Sequence, residues 1–174
     1  MRRAPVLVAA VLLLSACGFH LRGDVALPPE MQATYIYYKG RDASLLRTVA
    51  RSLALSGAGV VREPDQATAV LSLPVASVGR RVLAKDTNGR PREYEINVVL
   101  VFSLHAPDGF VLVPRQRVQR RENVVLDPAQ PLASEGEVSR AAQGLRDDAI
   151  WDMLRVIAAA ELQPRPVEAG EESE

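Results

Sequence analysis

Residues 80–104, RRVLAKDTNGRPREYEINVVLVFSL, place an Asn-Gly pair between two strand-like runs. Asn88-Gly89 favours a two-residue type I′ turn, because both residues tolerate positive φ. In the run that follows, Tyr94, Ile96, Val98, Leu100, Phe102 and Leu104 recur with period two and share one face of a strand. A two-residue loop would set Thr87 opposite Arg90, Lys85 opposite Arg92 and Leu83 opposite Tyr94. A second turn at Pro107-Asp108-Gly109 leads into another strand, Phe110 to Val125. Three consecutive antiparallel strands are therefore expected, a meander.

Working outward, Ala69 to Val78 reads as the first strand of that meander. Pro74 interrupts it and predicts an edge position or a bulge, since proline brings no N–H to a ladder. Upstream, Thr34-Tyr35-Ile36-Tyr37-Tyr38 is β-branched and aromatic and reads as a strand. Gly40 breaks it. Asp42 then suits an N-cap for a helix through about Leu55, with Leu45 or Leu46, Val49 and Leu53 at helical spacing and Gly57 in the C′ place. Arg47 and Arg51 fall on its solvated side. Strand, helix and strand make a unit whose crossover should be right-handed and whose strands should pair in parallel. Downstream, Val138, Ala142, Leu145, Ala149, Met153 and Ile157 form one apolar stripe of a helix from about Glu135 to Ala160. The expected fold is α+β: two helices on one face of a mixed, about four-stranded sheet, in the order β-α-β-β-β-α. Residues 164–174, PRPVEAGEESE, lack large apolar groups and are expected to be a disordered acidic tail.

The other end of the chain has a different logic. Arg2-Arg3, the apolar run Val6 to Leu14 and the small residues Ser15-Ala16 form the three parts of a secretory signal. The run is too short to span a hydrocarbon core of ~30 Å as a helix. Leu14-Ser15-Ala16-Cys17 resembles the bacterial lipobox, in which the cysteine sulfur takes a diacylglyceryl group and the cysteine becomes the new N-terminus. Cys17 is the only cysteine, so no intramolecular disulfide is available to it. Residues 1–16 are thus expected to be removed, with Cys17 as the lipid attachment site. Acyl chains at ~0.8 kcal/mol per buried CH₂ would hold the mature chain to a leaflet without a transmembrane helix. Gly18 in the next position, rather than aspartate, resembles an outer-membrane destination.

Composition narrows the function classes. The chain has 21 basic and 21 acidic residues, and loss of 1–16 removes two arginines and no acid, leaving a net charge of −2. That balance argues against a nucleic-acid partner. Apolar residues at 48% suffice for one core. His20 and His105 share no metal-ligand spacing with each other or with a second cysteine. Asp147-Asp148, adjacent on a helix, point about 100° apart and do not form a paired-carboxylate site. No phosphate-cradling glycine loop and no Gly-x-Ser-x-Gly elbow is present. No cofactor is expected.

The motif CGFHLRG at Cys17, the helix SLLRTVARSLALSGAGVV, the hairpin AKDTNGRPREYEI, the strand RVQRRENVVLD and the last helix AAQGLRDDAIWDMLRVI together resemble the LptE family, in that order and over most of the mature chain. The resemblance implies a single LptE-like domain over 17–163. It further implies an outer-membrane lipoprotein, not an enzyme, that sits in the lumen of the β-barrel LptD, aids its assembly and binds lipopolysaccharide. Near Leu132-Ala133-Ser134, where the family has a basic residue, this chain has serine, so no second ligand contact is assigned there.

The residues suggest where an anionic lipid would touch. Lys85 and Arg92, facing each other across a strand pair, would repel in an isolated sheet. With Leu83, Tyr94 and Ile96 continuing inward, they suit an amphipathic anion such as lipid A, cations for phosphates and an apolar strip for acyl chains. Lys85, Arg90 and Arg92 are the candidate lipopolysaccharide contacts, with Arg80 and Arg81 as secondary ones; charges that discourage edge pairing are the competing explanation. On the following strand Arg115, Arg117, Gln119 and Arg121 fall on one face, opposite Arg120 and Glu122. They would suit acidic groups of a polar barrel lumen, or an ordinary solvated sheet face. Two further readings stand beside the barrel plug: a free-standing periplasm-facing lipoprotein carrying an anionic lipid, and a lipid-anchored enzyme for which no catalytic residue is nominated.

Overall fold

The computed structural model describes residues 25–127 and 131–164, with the backbone alone at 131–134. The expectations for the leader 1–16, for Cys17 and for the tail beyond Pro164 lie outside the described residues. The chain enters through a 3-10 turn, Pro29–Gln32, then forms β1 (Thr34–Tyr38), α1 (Ala43–Leu55), β2 (Val60–Val61), a 3-10 turn at Pro64–Gln66, β3 (Ala69–Lys85), β4 (Pro91–His105), β5 (Val111–Val125) and α2 (Pro131–Ala159). The sheet order is β2-β1-β3-β4-β5. β1 pairs in parallel with β2 and β3, and the β3–β4 and β4–β5 pairs are antiparallel. The α+β class and the mixed sheet agree with the sequence reading. The strand count differs: β2, two residues long, makes a fifth strand.

Local chemistry explains the first helix. The Asp42 carboxylate accepts the N–H groups of Ser44 and Leu45, satisfying donors that a helix N-terminus leaves open. At the other end Gly57, with φ of +82°, donates to Ala54 O, and Ala58 donates to Leu53 O. That pair of bonds is a Schellman exit, and buried Ala58 lies against the helix end. Leu45, Val49 and Leu53 are buried.

The even-numbered side chains of β4 from Tyr94 to Leu104 enter one core with Leu71 and Leu73 of β3 and with both helices. α2 lies on β4 and β5. Its expected stripe is buried, apart from half-buried Ala142, and Ile150 and Leu154 add a second row that widens the apolar face. The helix also begins earlier than the stripe suggests. Pro131 opens it, so Leu132-Ala133-Ser134, expected in a loop, belongs to its first turn. Proline is compatible with that turn because its missing N–H would have had no helical partner.

Two bulges cross the sheet at one level. Between the pairs Ser72↔Ser103 and Val75↔Val101, β3 spends two residues, Leu73 and Pro74, against Phe102 alone. Between Phe102↔Gln116 and Leu104↔Val113, β5 spends Pro114 and Arg115 against Ser103 alone. A proline thus sits in each bulge, on either side of β4. β1 pairs with β3 only as far as Leu73. Pro74 therefore lies both in a bulge and at the start of an edge, where no ladder N–H is required.

Candidate functional site

Beyond that level, β3 and β4 run out together to the hairpin tip. The turn there is not type I′. Asp86 N–H donates to Arg90 O, Gly89 N–H donates to Asp86 O, and Gly89 has φ of +79°. Among the described residues no non-glycine has positive φ, so Asn88 does not supply the left-handed conformation that a type I′ turn demands. The loop is three residues, Thr87-Asn88-Gly89: a type I turn followed by a left-handed glycine. The Asp86 carboxylate fixes this choice by accepting from Asn88 N–H and Arg90 N–H, both at 2.8 Å.

The longer loop changes the register. Lys85 pairs with Pro91, Ala84 with Glu93 and Val82 with Tyr94, so Leu83 and Arg92 are each left over as bulged residues. The expected pairs Lys85–Arg92, Leu83–Tyr94 and Thr87–Arg90 are not formed. The direct repulsion inferred from them disappears with them. Tyr94 and Ile96, expected as an acyl-contacting strip, are 9% and 1% exposed and belong to the core. The apolar groups that remain open towards the tip include Val78, Val82 and Leu83, at 37–40%, and Val125 of β5, at 70%.

The five candidate cations divide by environment. Arg80 bonds Glu135 of α2 at 3.1 Å, and its guanidinium lies 4.6 Å from the centroid of the Tyr94 ring. Arg81 bonds its cross-strand neighbour Glu95 at 3.1 Å. The first braces the arm to α2, and the second ties the two strands of the arm together. Lys85, Arg90 and Arg92 are exposed, and their side chains have no ion-pair or hydrogen-bond partner among the described residues. The acids beside them are already engaged: Asp86 holds the turn, and Glu93 accepts from Asn123 at 3.0 Å. An unneutralised cation cluster beside exposed Val82 and Leu83 is what an amphipathic anion requires.

On β5, the register puts Arg117 beside Val101 and Arg121 beside Asn97, on the sheet face away from the helices. Arg115 lies in the Pro114 bulge and has no cross-strand pair. A polar ladder crosses that face: Arg117 donates to Gln119, and Gln119 donates to Asn97 at 2.7 Å. Arg120 turns to the helix side and pairs with Asp152, a contact that raises its already high pKa. The Ser103 hydroxyl and the His105 imidazole are 2.8 Å apart, but no carboxylate bonds His105 among the described residues. Those residues contain no group of three or more side chains able to hold a metal.

Taken together, the site and fold define a class: small α+β proteins with two helices on one sheet face and a basic β3–β4 arm. Lipoproteins of known structure share the fold. The solution structure of the uncharacterized lipoprotein B from Nitrosomonas europaea superimposes with a TM-score of 0.65 at 26% identity, covering 82% of this chain and 91% of that one. The minor lipoprotein from Acinetobacter baumannii does so at 0.62 and 16% identity, with coverage of 77% and 98%. The family model LptE, lipopolysaccharide-assembly, matches residues 31–159, and this chain belongs to that family. The LPS-assembly lipoprotein LptE of Pectobacterium atrosepticum is 30% identical over 159 residues, 86% of this chain and 81% of its own. That of Photorhabdus laumondii is 27% identical over 146 residues, 84% and 79% respectively.

Proposed function

We propose that this chain is a lipid-anchored outer-membrane lipoprotein that occupies and helps assemble an LptD-like β-barrel, and that it binds lipopolysaccharide on its way to the outer leaflet. Family membership supports the assembly role. The single observation that carries the ligand reading is the tip: Lys85, Arg90 and Arg92 without carboxylate partners, next to exposed Val82 and Leu83. Cations would meet lipid A phosphates, and the aliphatic side chains would meet its acyl region. Arg80 and Arg81, held by Glu135 and Glu95, would serve as supports for the arm rather than as ligand contacts. Arg115, Arg117 and Arg121 would face the barrel wall. Cys17 would carry the lipid and tether the chain to the periplasmic side. The role is that of a binding and structural subunit rather than an enzyme.

Replacing Lys85 and Arg92 together by glutamate tests the ligand reading. Each lost charge-assisted contact is worth about 1.5–3 kcal/mol, so capture of purified lipopolysaccharide should weaken at least roughly tenfold. Unchanged capture, with circular dichroism showing an intact fold, would dismiss the tip. The barrel reading has its own assay. A plug should co-purify with a large β-barrel protein from detergent-solubilised outer membranes, and a stand-alone lipid carrier should not.

A further inference from the structure

Among the described residues the sheet has two long open edges, and they are built differently. β5 has β4 as its only strand neighbour. Its edge carries devices that discourage strand addition: Pro114 in a bulge, and the exposed cations Arg115, Arg117 and Arg121. The other open edge is the upper part of β3. β1 pairs with β3 only up to Leu73, and among the described residues no strand takes its place beyond that point. From Val75 to Val82, β3 pairs with β4 residue for residue, with no proline and no break in register. The outward N–H and C=O groups of that run therefore form a regular row without partners.

Cations protect an edge when they stand over it, and here they do not. Arg80 turns to the helix side, where it bonds Glu135 at 3.1 Å and lies 4.6 Å from the centroid of the Tyr94 ring. Arg81 turns to the opposite face and bonds Glu95 at 3.1 Å. Both are tied back into the molecule, and the backbone between them is left bare. Val78 and Val82 share the helix side with Arg80. Because α2 packs on β4 and β5, the two valines stay 37% exposed. An added strand would lay alternate side chains against them.

The chemistry of this edge names its occupant. A row of backbone donors and acceptors is matched by a second extended polypeptide, not by a lipid or its headgroup. The run 75–85, VASVGRRVLAK, contains three cations and no acid. Lys85 at its end has no ion-pair partner among the described residues. That balance favours an acidic segment. It disfavours a second copy of this chain, because the antiparallel pairing that overlaps the two runs fully would set Arg80 against Arg80.

We propose that the β3 edge from Val75 to Val82 is a docking edge, which takes an extended acidic segment of another protein as a sixth strand of the sheet. Below Leu73 the same place is held by β1, so the segment joins the arm alone. The inference stands on the backbone of this edge, independently of the lipopolysaccharide reading, which is tested by lipid capture.

The test uses the mature polypeptide with Cys17→Ser and amide hydrogen exchange followed by NMR. The probe is a capped peptide of alternating valine and threonine, with a glutamate at each end. In the free chain every second amide from 75 to 82 should exchange fast. Saturating peptide should slow that set at least about tenfold and leave amides 115–121 unchanged. The same peptide N-methylated at every residue keeps its side chains but has no backbone donors, and should protect nothing. Val78→Ser with Val82→Ser should weaken peptide binding about tenfold, the scale of two lost cross-strand apolar contacts. Absent slowing at 75–82, equal slowing at 115–121, equal action of the N-methylated peptide, or undiminished binding by the serine variant would each overturn the proposal. A free chain in which every amide from 75 to 82 is already slow would also overturn it. Slowing that grows with protein concentration would assign the edge to a second copy, and slowing that does not would assign it to another part of the chain.

Discussion

At Asp42 one carboxylate oxygen receives the Ser44 hydroxyl and the N–H groups of Ser44 and Leu45, while the other faces Arg146 at 3.6 Å. The Ser44 hydrogen bond, then the Leu45 N–H and the Arg146 charge, hold its pKa below the ordinary 3.8. A depressed carboxylate stabilises the fold fully above the unfolded value and loses that contribution as pH falls through the folded one. Asp42→Ala should cost about 1 kcal/mol at neutral pH by urea denaturation. The gap to wild type should close when the titration is repeated well below the ordinary carboxylate pKa. The cap was legible because its partners are two and three residues away. Gly59 was not. An added Cβ there would stand 2.2 Å from the Gln32 carbonyl oxygen, a backbone atom brought close only by the folded chain. Gly59 also exchanges backbone bonds with Gln32 and Thr34. Gly59→Ala should therefore destabilise by about 2 kcal/mol or more, read as a lowered urea midpoint.

Elements were legible where a periodicity ran long and illegible where pairing decided them. β4 and α2 announce themselves by period, whereas β2 is two residues long and exists because the chain leaving α1 passes beside Thr34 and Tyr35. The hairpin shows the same division. Its existence followed from the Asn-Gly pair, but its register followed from the Asp86 carboxylate and from the offsetting bulges at Leu83 and Arg92. The turn geometry gives a discriminating expectation. Gly89→Ala should cost about 1–2 kcal/mol, because only that residue is left-handed. Asn88→Ala should cost under about 0.5 kcal/mol, a value a type I′ turn would not allow. Guanidinium unfolding of both variants would tell the two turns apart. The tip cations were visible as sequence, but which of them are already committed was not. Glu135 and Glu95 reach Arg80 and Arg81 only through α2 packing and strand register.

The whole molecule has two unequal parts. Below the two bulges, β1, α1 and the beginning of β3, Ala69 to Leu73, join the shared core. Above them, β3 is an edge strand whose residues from Val75 to Lys85 are mostly exposed, braced to α2 through Arg80 and Glu135. Protection from hydrogen exchange should follow this division. Amides of 76–85 should open well below the global unfolding free energy, and those of 98–104 should open only with it. Leu154→Ala, in the fully buried second row of α2, should cost about 2–5 kcal/mol and lower protection in both parts. The paired prolines give the division a mechanical meaning. Pro74 and Pro114 lie at matching heights on either side of Phe102 and Ser103. They score the sheet like a crease pressed across a folded card, and extra strand twist concentrates there. Beyond the crease Ile96, Val98 and Leu100 are still buried in the shared core, and Arg80 is still tied to Glu135 of α2. The bend therefore sets a fixed angle at which Lys85, Arg90 and Arg92 are held out from the body.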